Sequence, residues 1–251
     1  MKFFLILSFI FSSLYLPAQQ AAALIKEAEK LEQLPDEKGA FQKFKLALKA
    51  EPNNLVALAK CSELCSRIGN RQADHKVRDS YYDAAVLYAK KALQLYPQND
   101  EANVAMGIAV GRTSLTKSGK EKIAAAKEIK QYAETALKYN PKNFKAWHIL
   151  GKWNYEVSSL NMMERAATAV FYGGLPAASF QNSITAYEKA RSYNSAFLLN
   201  YLELAKAYRK NNEKQKGISL LKAVATLPVQ TEDDPRIKNE AAGLLKSWQS
   251  K

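Results

Sequence analysis

Apolar positions in this chain recur three and four residues apart, the spacing of one face of a helix, and the helical runs stop at a repeated signal. The segments ALKAEPNN (47–54), ALQLYPQN (92–99) and ALKYNPKN (136–143) share Ala-Leu, a Pro five residues after the Ala and an Asn two further on. Each predicts a helix that ends at its proline, which lacks the N–H and clashes with the preceding turn. ARSYNS (190–195), with Ser195 in the proline position, and AVATLP (223–228) are degenerate copies. The markers at 52, 97, 141, 195 and 228 are spaced by 45, 44, 54 and 33 residues.

Upstream of these markers lies a second pattern. Trp147-x2-Leu150-Gly151, with Asn154 three residues on, is followed one unit later by Tyr201, Leu204, Ala205 and Tyr208. Large residues that wedge into a neighbouring helix, beside a small one that permits close approach, are the first-helix signature of the tetratricopeptide repeat, whose period is about 34 residues. One hairpin of this kind cannot bury its apolar face alone, so the units must stack. The expected fold is all-α: a tetratricopeptide-like right-handed solenoid of about five hairpins, at 21–51, 55–96, 100–140, 144–194 and 198–227. A capping helix should follow TEDDP (231–235), with Asp233 or Asp234 as cap, Pro235 in the first turn and Ile237, Ala241, Leu244, Leu245 and Trp248 on one face.

Against the regular period, the first three spacings carry about 11, 10 and 20 extra residues, placed near 69–80, 113–123 and 156–180. The first two are polar and basic and are expected to lengthen inter-helix loops. The third carries a helical stripe of Leu160, Met163, Ala167, Val170 and Phe171 before the turn Gly173-Gly174-Leu175-Pro176. It predicts an extra short helix that either pads the outside of the solenoid or folds into its concave groove.

The first residues, MKFFLILSFIFSSLYLPAQQ, place Lys2 before an apolar run from Phe3 to Leu16 and then Pro17 and Ala18. This reads as a secretory signal peptide, residues 1–18, cleaved after Ala18, because the run is too short to span a bilayer. The repeat domain then occupies 21–250, and the expected location is exported, periplasmic or extracellular. The whole chain of 251 residues has 37 Lys and Arg against 24 Asp and Glu, a net +13. Loss of Lys2 lowers this only to +12. The charge admits acidic partners of several kinds, but export and the lack of a recognised module argue against nucleic acid.

Chemical motifs are sparse. No phosphate-binding GxxxxGK[ST] is present, since Gly119-Lys120 has Ser114 five residues before the Gly. Ser114-x-x-Lys117 and Ser219-x-x-Lys222 lack the partner motifs of Ser-Lys acylation enzymes. Cys61 and Cys65, one turn apart, read as buried thiols, and with His75 they have no zinc spacing. No catalytic residue, cofactor or metal is therefore expected. The concave lining of first helices is the expected site: Lys145, His148, Lys152 and Tyr155, then Leu199, Leu202, Lys206 and Arg209, preceded by Val104, Ile108 and Arg112. Cations beside apolar and aromatic groups suit the carboxylates of a protein or acidic peptide partner. The alternative occupant is an anionic phospholipid or fatty ligand, held in a groove closed by the 156–180 insertion.

The stretch WHILGKWNYEVSSLNMMERAATAVFYGGLPAASFQNSITAYEKA (147–190), together with TEDDPRIKNEAAGLLKSW (231–248), resembles the regulator of microtubule dynamics family. The resemblance rests on His148, Gly151, Trp153, Arg165 and Pro176, and on Glu232, Asp233, Ala241, Ala242, Leu244 and Leu245 near the end. It spans roughly 25–248 and is specific in the second half. It implies a tetratricopeptide-like helical fold. Eukaryotic members are associated with microtubules, spindle poles and mitochondria, and one binds phospholipid through its helical domain. An export signal separates this chain from the cytoskeleton and fits an exported, bacterial-type member.

Overall fold

The computed structural model describes the backbone of residues 4–250 and side chains from Ala18 onward. The expected leader and its cleavage point thus fall mostly outside the described side chains, and residues 1–3 outside the described residues. Among the latter, twelve α-helices follow in order: α1 (Phe4–Gln33), α2 (Glu37–Ala50), α3 (Leu55–Asn70), α4 (His75–Leu95), α5 (Asp100–Thr113) and α6 (Gly119–Tyr139). The second half comprises α7 (Phe144–Ser159), α8 (Met162–Tyr172), α9 (Phe180–Tyr193), α10 (Leu198–Lys210), α11 (Lys214–Thr226) and α12 (Asp234–Gln249). The helices α1–α2, α3–α4, α5–α6, α7–α9 and α10–α11 pair as hairpins, and α12 packs on α10 and α11. These are the five expected units and the terminal cap.

The repeated sequence signal works at both ends of each turn. Ala47, Ala92, Ala136 and Ala190 are fully buried, and their carbonyls accept the last bonds of their helices, from the N–H groups of Glu51, Tyr96, Asn140 and Asn194. The repeated Asn then starts the next helix: the side chains of Asn54, Asn99 and Asn143 accept from the N–H groups of Ala57, Ala102 and Ala146. This satisfies donors that a helix start leaves open. Where Ser195 replaces Pro, α10 begins at Leu198 behind Phe197, and no side chain caps it.

Consecutive first helices touch one another, α3 with α5, α5 with α7, α7 with α10 and α10 with α12. Second helices contact only first helices in this series, so they form the outer layer and the first helices form the concave one. Gly151 shows what the close approach requires, because a Cβ there would lie 2.5 Å from the buried Tyr187 ring. Cys61 and Cys65 are free and buried in α3; burial pushes the Cys65 thiol up to about 12 and raises Cys61 as well.

The structure corrects two details and decides a third. The first two insertions do not lengthen loops; the extra residues extend α4 and α6, each 21 residues long, with a short 3-10 turn at Ser114–Thr116. Neither aspartate caps α12 with its side chain. Asp234 instead accepts from the N–H groups of Gln230 and Thr231 and closes the preceding turn. The third insertion forms α8, but it rests on α6, an outer helix, so it does not close the concave groove.

Two glycines test the packing account. Gly151→Ala must displace the Tyr187 ring and should cost about 1–3 kcal/mol. Gly243, mid-way along α12, has nothing within 4 Å of a built Cβ, so Gly243→Ala should stabilise by up to about 1 kcal/mol. Thermal unfolding followed by circular dichroism should move in opposite directions for the two; a Gly151→Ala protein as stable as its parent would contradict the close-contact account.

Candidate partner-binding face

The concave face collects the expected lysines, but each arrives with carboxylates from neighbouring repeats. Lys145, in the first turn of α7, reaches back to Glu63 on α3 at 2.5 Å and to Glu101 on α5 at 2.7 Å. Lys152, two turns on, meets Glu156 at 2.8 Å and Glu203 on α10 at 2.9 Å. Lys206 shares Glu203 at 2.8 Å and holds Glu240 on α12 at 2.7 Å. The inner face is therefore a ladder of alternating charge, and the positive groove expected from lysines alone is largely neutralised.

The ionisation of this ladder follows from its geometry. Burial alone would raise the Glu203 carboxyl, but Lys152 and Lys206 together outweigh it and hold it below the usual range. Glu63 follows the same balance: burial raises it, and Lys145, Lys60 and Arg67 bring it lower. Burial pulls Lys145 and Lys152 down while their carboxylates push them up, and the net direction is upward for both. Glu63, Glu203, Lys145 and Lys152 therefore stay charged at neutral pH.

The remaining expected residues divide. His148 is packed between the Tyr187 and Phe197 rings, with centroids 5.2 and 4.9 Å away. Its Nδ1 lies 3.0 Å from Asn200 Oδ1. Because Asn200 Nδ2 donates to the Tyr187 carbonyl, Oδ1 is the acceptor, and the neutral ring carries its proton on Nδ1. Burial lowers the ring's pKa, so His148 anchors α7 to α9 and α10 as a neutral group. Tyr155 lies beside Phe180 and under the Lys152 ammonium. Leu202 is only 1% exposed and belongs to the core, so it does not line the groove. Arg209 is exposed on α10 and, among the described residues, forms no ion pair. Arg112 donates to Asn70 Oδ1 at 2.9 Å, and burial lowers its pKa while Tyr82 and Asp233 oppose that.

A second cluster, absent from the expectations as a site, joins the two ends of the fold. The buried carboxylate of Glu37, at the start of α2, lies 2.6 Å from Arg71 and 3.3 Å from Arg67. Arg71 also meets Glu232 at 3.1 Å and Asp233 at 3.3 Å, and the Glu37 N–H donates to Glu232 Oε1 at 2.8 Å. Residues 195 positions apart are thus clasped together. Other positions that carry the family resemblance are structural as well. Trp153 Nε1 donates to the Ala126 carbonyl, and Arg165 donates to Ser158 and Leu160. The one signal for the missed carboxylates is their spacing from cations on the same helix: Lys60 and Arg67 stand three and four residues from Glu63, and Lys206 three from Glu203. Among the described residues, no group of three or more His, Cys, Asp or Glu is placed to hold a metal ion.

Acid should open this ladder. Glu63 and Glu203 have pKa values below the unfolded 4.5, so their contribution is complete above that pH and is lost as pH falls through their folded values. Urea unfolding midpoints should be flat from pH 8 to about 7, decline from about pH 6.5 because burial keeps His148 neutral while the unfolded chain takes up its proton, and fall further below about 4.5. Lys145→Met should cost about 3 kcal/mol at neutral pH by stranding Glu63, and its stability should fall less on acidification. An unchanged pH profile in that variant would remove Lys145 from the account.

Comparison with known proteins agrees with this architecture. A thermophilic TPR protein from Thermus thermophilus superposes with a TM-score of 0.63 at 14% identity, over 90% of this chain and 99% of that one, a likeness of fold alone. Regulator of microtubule dynamics protein 1 from Bos taurus is 30% identical over 168 residues, 66% of this chain and 53% of the relative. The Mus musculus protein is 32% identical over 163 residues, 64% and 53% respectively. This chain thus matches about half the length of these relatives. The family model for regulator of microtubule dynamics protein 1-3 matches residues 24–249, and the chain belongs to that family.

Proposed function

We propose that this chain is a non-catalytic helical-repeat scaffold of the cell envelope that binds a protein or acidic peptide partner on its concave face. Membership of a tetratricopeptide-like family supports partner binding, because stacked helical pairs present extended surfaces for it. The leader-like run from Phe3 to Leu16 behind Lys2 supports export. The microtubule role in the relatives' name is not carried over, since an exported chain does not meet microtubules.

The observation that carries the reading is the unequal exposure of the two kinds of carboxylate around Lys152 and Lys206. Their shared partner Glu203 is 8% exposed at the side chain, whereas Glu156 and Glu240 are 59% and 38% exposed. Glu203 fixes both ammonium groups in place, and the outer carboxylates are replaceable. An acidic segment can exchange with Glu156 and Glu240 while Glu203 stays bound, so the lysines are never left unpaired. Arg209 adds a cation that, among the described residues, has no internal carboxylate to displace. A lipid occupant receives no support from the insertion that was expected to cover it, because α8 lies on the outer layer.

Crosslinking and affinity capture from envelope extracts test this. Arg209→Glu, which strands no internal carboxylate, should lower recovery of a specific partner by about tenfold or more, while Lys91→Glu with Lys189→Glu, on the outer helices α4 and α9, should leave it unchanged. Equal recovery from both variant proteins, with melting curves like the parent's, would reject the concave face as the binding surface.

A further inference from the structure

Helix α8 is mounted inside out. Its sequence, MMERAATAVFY, puts Met162, Met163, Ala166, Ala167, Val170 and Phe171 within one half of the helical wheel. In a packed helix this half would face the core, yet no residue of α8 is buried. Met162 is 86% exposed, Met163 82%, Val170 75% and Phe171 73%. The side turned toward the protein is the polar one: Arg165 donates to the carbonyls of Ser158 and Leu160, and Thr168 and Tyr172 are half-buried. Fixed ends hold this orientation. Asn161 and Glu164 form a reciprocal capping box at the start, and Gly173 ends the helix in a left-handed conformation, φ 68°.

The partner of this face is indicated by what adjoins it. The Tyr172 carbonyl accepts from Lys127 Nζ at 3.1 Å, and the Tyr172 hydroxyl lies against Gly119 at the start of α6. The insertion at 113–123 therefore meets the one at 156–180. It brings the exposed Lys117, Lys120 and Lys122 and the 65% exposed Leu115, and none of these lysines has an ion-pair partner among the described residues. An unsatisfied apolar stripe beside unpaired cations is complementary to an anionic interface with an apolar interior. A second copy of the chain fits poorly, because it would bring the same lysines together. The stripe also offers roughly 500 Å² of side-chain surface from ordinary side-chain areas, short of the roughly 800 Å² per partner of a stable complex.

We propose that α8 and the adjoining start of α6 form a docking face for an anionic lipid bilayer, with the apolar stripe of α8 lying at the headgroup–acyl boundary. The face is on the outer layer, away from Lys152, Lys206 and Arg209, so it stands or falls independently of partner binding on the concave side. Among the described residues no helix is long and apolar enough to cross a membrane, and the contact proposed is peripheral. Met and Phe side chains suit a fluid apolar phase, which needs no shape match.

The full chain supports a local test, because both native cysteines are buried and an introduced one is labelled selectively. Met163→Cys carrying an environment-sensitive fluorophore should blue-shift on vesicles of phosphatidylcholine with a quarter phosphatidylglycerol. The same label at Lys91→Cys on α4 should not, and this control separates α8 from any membrane affinity of residues 1–18. Raising salt, or substituting Lys117→Glu, Lys120→Glu and Lys122→Glu together, should weaken the Met163→Cys response about tenfold. Equal shifts at both labels, no shift at Met163→Cys, or an equal shift with phosphatidylcholine alone would overturn the proposal. So would a dimer in analytical ultracentrifugation that is abolished by Phe171→Glu, which would assign the stripe to a second copy. Since α8 has no buried residue, these variants should melt like the parent, and the readout stays interpretable.

Discussion

Three buried carboxylates, Glu37, Glu63 and Glu203, set the terms for the concave half of this structure. Stacking first helices brings their inner faces within reach of long side chains, so a charge on one repeat must be answered from another. Glu63 is met by Lys145 two repeats away, and Glu203 by Lys152 on one side and Lys206 on its own helix. Glu37 is met by Arg67 and Arg71, and Arg71 in turn holds Glu232 and Asp233 from the far end of the chain. A buried ion pair is weak evidence for stability, yet losing one member leaves the other charge stranded. These pairs therefore specify how successive hairpins are set against one another more than they add to their cohesion.

The local grammar of the fold was legible because it is written in neighbouring residues. Ala136 accepts the last helical bond, Pro141 prevents continuation and Asn143 caps the next helix, all within eight positions. Gly151 against Tyr187 was legible as a small residue in a first-helix signature, although its contact lies 36 positions away. The placement of the insertions was less so. Extra polar residues near 69–80 and 113–123 suggest loops, but nothing in their composition opposes continuing a helix, and α4 and α6 are longer for it. Asp233 and Asp234 satisfy the statistical form of a cap, but Arg71 and the turn at Gln230 compete for them.

The candidate site was half legible for the same reason. Lys145, Lys152 and Lys206 fall on the inner face by periodicity alone, and the structure puts them there. Their carboxylates come from sequence separations of 82, 51 and 3 residues, and only the shortest is visible along one helix. Leu202 failed as a lining residue because its neighbour Glu203 occupies the inward direction, which turns Leu202 into the core. Net charge misled in a similar way: +13 for the whole chain does not make the concave face positive, since Lys145, Lys152 and Lys206 each meet a carboxylate there. Among the described residues Arg209 on α10 is unpaired as well, but a cluster of three unpaired cations, Lys117, Lys120 and Lys122, gathers where the repeat is interrupted.

That displacement follows from how repeats accommodate extra residues. Within a regular unit each inner position must suit the preceding and following repeats, and a buried charge is tolerated there only with its partner. An insertion is free of that condition, because it contacts at most the outer helices. The stripe of α8 illustrates the difference. Periodicity correctly identified it as one face of a helix, but periodicity is silent about which way a face points, and the usual assumption is inward. Here Arg165, the capping box and Lys127 grip the polar side, and the apolar side has only the outside left. Insertions in successive repeats that meet in space can thus build a second surface without disturbing the first, one charge-balanced and ordered by the stack, the other apolar and cationic and ordered by its own caps.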